Sequence, residues 1–183
     1  GDPQTVIHVV VNGSTDRTAE RARDAASGFA NVHVHIFDEG GKSRSWNRFI
    51  LDTLELYHPV HIFVDGDAEV VPGSVAAPAE AIEANPSANA ASALPVNGRH
   101  VEYYQAEMKR THGVFGDLYA LNGDFIRRMK EARIRLPDDL IGDDGLLASL
   151  AKTDLGNLRD WNDERVAVCG GAGFLCDPMD LFD

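Results

Sequence analysis

Apolar residues in this chain cluster in short runs, many of them β-branched, and polar, glycine-bearing turns separate the runs from amphipathic stretches. Residues 5–11 (TVIHVVV) predict a buried strand. The turn Asn12-Gly13 follows, then the helix-like AERARDAASG, with Ser14, Thr15 or Asp16 available as its cap and Gly28 at its end. Residues 31–37 (NVHVHIF) alternate as a second strand should. Trp46, Phe49, Ile50, Leu54 and Tyr57 recur at helical spacing, which predicts an amphipathic helix over residues 46–57 with these side chains in the core. Residues 60–64 predict a third strand, and Pro72 and Pro78 frame a loop and a short Ala-rich helix.

Beyond this point the pattern weakens. Residues 89–96 read as a poor strand, and residues 101–112 fit a helix or an irregular segment equally well. Residues 114–121 (VFGDLYAL) predict a buried strand interrupted by Gly116, and helices are expected over 125–132 and over LLASLAK. A last strand spans 165–168, with the glycine run 170–173 expected as a loop in a poorly structured tail. Strand and helix alternate through the first half, so the expected class is α/β, a mostly parallel sheet flanked by helices with a less regular second half.

At 183 residues, the expectation is one domain with one core. A net charge of −12 argues against nucleic acid as a partner and against an anionic membrane surface. It leaves an anionic substrate open, because a metal and a few local cations reverse the field in one cleft. Cys169 and Cys176 are too few for a disulfide framework, and no apolar run is long enough to span a bilayer. The expected location is cytoplasmic, with peripheral attachment to a membrane left open.

The candidate chemistry centres on Asp65-Gly66-Asp67 at the end of the 60–64 strand. In open α/β sheets, ligands bind beyond the carboxyl ends of strands. Two hard oxygen donors on one short turn suit a divalent cation that also grips a diphosphate, as Mg²⁺ does. An ordinary acidic turn fits the same residues. His33 and His35 share a strand face, but no third ligand stands at a telling spacing, so half-exposed strand histidines are the better reading. Arg127, Arg128, Lys130 and Arg133 read as a solvated helix face. The glycine run lacks the Lys-Ser/Thr ending of a phosphate loop.

Taken in order, these motifs resemble a family 2 glycosyltransferase of the GT-A fold. Asn12-Gly13-Ser14-Thr15-Asp16-Arg17-Thr18 is similar to the family's nucleotide-side motif. Gly41-Lys42-Ser43-Arg44 with Asn47 resembles the segment that opens the next helix, and Asp65-Gly66-Asp67 matches the DxD motif. Gly116-Asp117-Leu118-Tyr119-Ala120-Leu121 looks like the acceptor-side strand, and Gly142-Asp143-Asp144-Gly145 resembles the acidic motif that supplies the catalytic base. The resemblance implies a nucleotide-sugar half over about residues 1–97, an acceptor-side half over about 98–168, and a tail over 169–183.

It further implies inverting, metal-dependent transfer of a sugar from a nucleotide diphosphate to an acceptor hydroxyl on a saccharide, lipid or small molecule. Asp67 is assigned to Mn²⁺ or Mg²⁺, and Asp65 to the metal or the ribose. Asn12, Ser14 and Asp16 are assigned to the nucleotide, and Lys42 or Arg44 to the phosphates. Asp144 is assigned as base, with Asp143 second. Two features depart from the family. Asp143 stands where Glu is usual, and the chain opens almost at the family's second strand. A sheet lacking one central strand has an open edge, which a second copy of the chain could cover. The alternatives are a non-catalytic nucleotide-sugar-binding relative and a phosphatase of the haloacid-dehalogenase type.

Overall fold

The computed structural model describes residues 5–175. They form two compact units. One comprises the residues up to Leu54 together with Arg135–Ile141, and the other Glu55–Ile134 together with the residues from Gly142 on.

In the first unit, the β-branched run becomes β1 (Ile7–Asn12), which pairs in parallel with β2 (Val32–Phe37). Helix α1 (Thr18–Ala26) links them and buries no side chain, as its charged sequence requires. The next helix starts earlier than its apolar periodicity indicates. Helix α2 (Lys42–Trp46) continues as a π-helical turn over Asn47–Thr53. The wider winding shows in Leu54, whose N–H donates to Phe49 O at 2.8 Å, five residues back. The reason for the early start is that Ser43 and Asn47 are buried polar residues with partners in the 136–140 segment, a face that apolar periodicity does not register. Trp46, Phe49, Ile50 and Leu54 are core, as expected, with Val11, Phe37 and Leu136, whereas the helical segment ends at Thr53 rather than 57 and Tyr57 is only half-buried.

His33 and His35 are indeed strand histidines, joined by His8 from the paired strand. His8 Nδ1 lies 3.0 Å from His35 Nε2, and the Phe49 ring packs against both imidazoles.

The second unit is built on a five-stranded sheet in the order β3-β6-β5-β7-β4. Its strands are β3 (Val60–Val64), β4 (Glu69–Val70), β5 (Ala90–Pro95), β6 (Leu118–Asn122) and β7 (Val166–Leu175). Helices α3 (Ala76–Ala84), α4 (Val101–Thr111), α5 (Gly123–Glu131) and α6 (Asp143–Thr153) complete it. The α/β class holds, but the pairing is mixed rather than mostly parallel. Two pairings, β1–β2 and β5–β7, are parallel, whereas β3–β6, β5–β6 and β4–β7 are antiparallel. Hydrophobic pattern reports which segments are strands, whereas direction depends on which edge the chain crosses to, and β6 runs against both of its neighbours.

The weak strand expected over residues 89–96 is present as β5, a central strand buried along its whole length, with Ala91 and Ala93 in the core. One further expectation is corrected. The glycine run is strand, not loop. β7 passes through Gly170–Gly173 between β5 and β4, and a Cβ on Gly173 would stand 2.4 Å from Val96 Cγ1. The expected tail therefore begins no earlier than residue 176, and residues 176–183, with Cys176, lie outside the described residues. Cys169 is a buried thiol whose pKa burial pushes up to about 11. Of the basic residues of α5, Arg127 pairs with Asp124 and Glu131, Arg128 pairs with Asp154, and Lys130 lies over the Tyr57 ring at 5.5 Å.

Candidate active site

The first unit holds the residues that the resemblance assigns to the nucleotide, at the carboxyl ends of β1 and β2. Asn12 closes β1, and Gly13 donates its N–H to Phe37 O at 2.8 Å. Gly13 has φ +60, and a Cβ there would fall 2.6 Å from the N and Cα of Gly40. Only glycine combines that conformation with so close an approach. The contact seats the turn carrying Asn12 and Ser14 against the loop that leads through Gly41 into Lys42, the first residue of α2.

Ser14, Asp16 and Lys42 are exposed. Asp16 accepts the Thr18 N–H at 2.9 Å, and the Thr18 hydrogen bonds hold its carboxyl below the ordinary aspartate value. Its local role is therefore to start α1. Arg44 donates to Gly40 O at 2.7 Å and to Asp139 at 2.9 Å, with Asp138 at 3.7 Å.

The second unit holds the acidic groups. β3 delivers Asp65 to the end of its ladder, where the Asp65 N–H donates to Asp117 O at 3.2 Å. The chain then turns tightly, with Ala68 N–H donating to Asp65 O at 3.1 Å, and β4 pins the far side of the turn to β7. Asp65 is half-buried, Asp67 is exposed, and nothing lies within 4 Å of a Cβ placed on Gly66. The turn thus carries two carboxylates one residue apart, with open space at the Gly66 Cβ position between them in sequence. Among the described residues no group of three or more His, Cys, Asp or Glu side chains forms a metal site. Two carboxylates still fit a divalent cation whose remaining positions go to phosphate oxygens and water. Asp117 belongs to the Gly116–Leu121 segment that resembles the acceptor-side strand, and its carbonyl here closes the ladder beside Asp65.

Asp143 and Asp144 occupy the first turn of α6, behind Gly142 in the left-handed conformation at φ 85. A helix N-terminus favours carboxylates. The two differ in setting. Asp143 is buried at 4% exposure, whereas Asp144 is half-buried and accepts the Gly145 N–H at 2.8 Å. His112 caps α4 instead of standing free, its Nδ1 2.8 Å from Val166 O.

The glycosyl transferase family 2 pattern matches residues 2–174. The chain belongs to glycosyl transferase family 2. Among solved structures, it is similar to the mannosyltransferase PcManGT from Pyrobaculum calidifontis, solved in complex with GDP-Man and Mn2+. The TM-score is 0.69 at 20% identity, over 93% of this chain and 47% of that one, so the two share a fold and this chain spans just under half of that protein's length. No curated protein matches the chain. Family membership replaces the phosphatase alternative and extends the matched region from about Val168 along β7 to residue 174. Like that glycosyltransferase, the described residues hold a mixed α/β sheet. No helix among the described residues is long and apolar enough to cross a membrane.

Proposed function

We propose that this family 2 chain is an inverting glycosyltransferase that uses a nucleotide-diphosphate sugar and a divalent metal. The observation that carries the reading is the Asp65-Gly66-Asp67 turn at the end of β3, with Asp67 exposed, Asp65 half-buried and nothing near the Gly66 Cβ position. Asp67 and Asp65 would hold the cation, and the Mn2+ in the similar mannosyltransferase favours that ion. Bound there, the metal would neutralise charge on the diphosphate.

The nucleotide lies, in this reading, along Asn12, Ser14 and Asp16, with Lys42 toward the phosphates. Arg44 is engaged by Asp139 and Gly40, and we assign it to holding the 135–141 segment in place. Asp144 takes the proton of the acceptor hydroxyl as its oxygen bonds to the anomeric carbon. The bond from that carbon to the phosphate oxygen breaks, and its electron pair leaves on the diphosphate. Asp143, being buried, positions the first turn of α6. Attack from the face opposite the leaving group inverts the anomeric centre.

One observation favours a second reading. Among the described residues β3 is hydrogen-bonded on one side only, to β6, and β1 only to β2. A relative that binds the donor without turnover would tolerate such an edge, and a second copy of the chain could pair along it. The acceptor class stays as wide as saccharide, lipid or small molecule, and a cytoplasmic or membrane-peripheral setting accords with the proposal. Transfer or hydrolysis assays on Asp144→Asn separate the readings. Loss of turnover with donor binding retained supports the base, and an unchanged rate removes it.

A further inference from the structure

The first unit contains a cavity of about 440 Å³ whose chemistry the transfer reading does not use. Its wall is a stripe of the α2/π-helical segment, because Arg44, Arg48 and Asp52 recur every fourth residue. The opposite wall is Arg135 and Asp138, and the floor includes Phe37 and Ser45. Most of the charges are spent on each other. Arg135 forks onto Asp52 at 2.7 and 2.8 Å, and Arg44 is tied to Gly40 O and Asp139.

Two groups remain that these pairs do not explain. Arg48 forms no ion pair among the described residues, and its guanidinium lies over the Phe37 ring at 4.2 Å. Ser45, 4% exposed, has a hydroxyl with no hydrogen-bond partner among the described residues.

The lining carries three guanidinium groups and three carboxylates, Glu39, Asp52 and Asp138, so its formal charges cancel. An anion entering would meet three carboxylates, and a cation three guanidinium groups. A hydroxyl can donate to the one and accept from the other, which makes a neutral polyol the matching ligand. The volume falls in the range of small-molecule sites. We propose that this cavity binds a neutral saccharide unit, held between the paired charges and the Arg48–Phe37 shelf. The inference rests on the cavity alone and stands whether or not the chain transfers sugar.

Saturation-transfer and amide-shift NMR on the full chain tests it, with maltose, cellobiose and mannobiose as probes and glucose phosphate as the anionic comparison. At least one neutral disaccharide is expected to bind and to shift amides of the α2 stripe. Arg48→Ala and Glu39→Gln should each weaken that binding about tenfold, the worth of one charge-assisted hydrogen bond, while affinity for a nucleotide diphosphate with Mn²⁺ is unchanged. The inference is overturned if none of the three sugars binds, or if the shifts map away from the cavity. Preference for glucose phosphate overturns it too, as does an affinity in Arg48→Ala and Glu39→Gln equal to that of the parent chain.

Discussion

Asn47 holds Leu136 by both of its backbone groups. Its Nδ2 donates to Leu136 O at 2.8 Å, and its Oδ1 accepts the Leu136 N–H at 3.0 Å, with Asn47 only 1% exposed. Ser43, one turn earlier, donates to Leu140 O at 3.1 Å. A helix that opens with the family's Gly-Lys segment thereby fixes residues 135–141, the stretch that runs in sequence straight into Asp143 and Asp144.

Asn47→Ala strands two buried backbone groups, so it should cost about 2–4 kcal/mol of stability, read from urea denaturation. Asn47→Asp keeps the acceptor but turns a buried carboxylate oxygen toward Leu136 O and the Asp138 carboxylate, so it should cost at least as much. A smaller cost than that of Asn47→Ala would show that the Nδ2 bonds contribute nothing.

Gly13→Ala places a Cβ 2.6 Å from Gly40 at φ +60. It should destabilise by about 1–3 kcal/mol and weaken nucleotide affinity as the two loops are forced apart. A variant of unchanged stability and affinity would remove the Gly13–Gly40 contact from the account.

These two positions illustrate what was legible beforehand. The Asp65-Gly66-Asp67 turn stood out because an apolar run stops at a carboxylate, and β1, β2 and β3 stood out because β-branched runs bury themselves. The Asn47 clamp did not, because an asparagine inside a helix shows nothing of a partner 89 residues away. The second half of β7, beyond the strand legible at 165–168, was hidden for a related reason. Glycine has poor strand propensity, and only the nearness of Val96 makes Gly173 the residue that fits. The split of polar roles between Asp143 and Asp144 likewise needed burial, which adjacent identical residues cannot reveal.

His35 provides a pH test. Burial, and then the charge of neighbouring His33, lowers its pKa from the ordinary 6.5, so the folded chain resists its protonation. The unfolded chain binds the proton first, so stability is complete above about pH 6.5 and declines as pH falls through that value toward the folded pKa. Urea midpoints between about pH 7.5 and 5.5 should therefore drop on acidification, and His35→Gln should flatten the slope. An unaltered slope would assign the effect to other groups.

Arg128 joins Asp154 at 2.8 Å and Asn89 at 3.1 Å, and Asn89 donates to Ala151 O at 2.9 Å. This half-buried network ties α5 and α6 to the start of β5. Asn89→Ala should destabilise by about 1–3 kcal/mol, since it removes the Asn89 bonds to the Ala151 carbonyl, to Asp154 and to Arg128 Nη2. Thermal denaturation of Asn89→Ala and Arg128→Ala, alone and combined, should show costs that do not add. Additive costs would mean that the two act separately.

The central claim is that Asp65 and Asp67 grip a metal and a nucleotide diphosphate together, and calorimetric titration tests it most directly. The full chain would be titrated with GDP-mannose and with UDP-glucose, with Mn²⁺ and with chelator, alongside Asp67→Asn. The account predicts binding of at least one donor that requires Mn²⁺ and weakens at least about tenfold in the variant, whose urea midpoint stays that of the parent. Donor binding that is the same with chelator, or the same in Asp67→Asn, would contradict it.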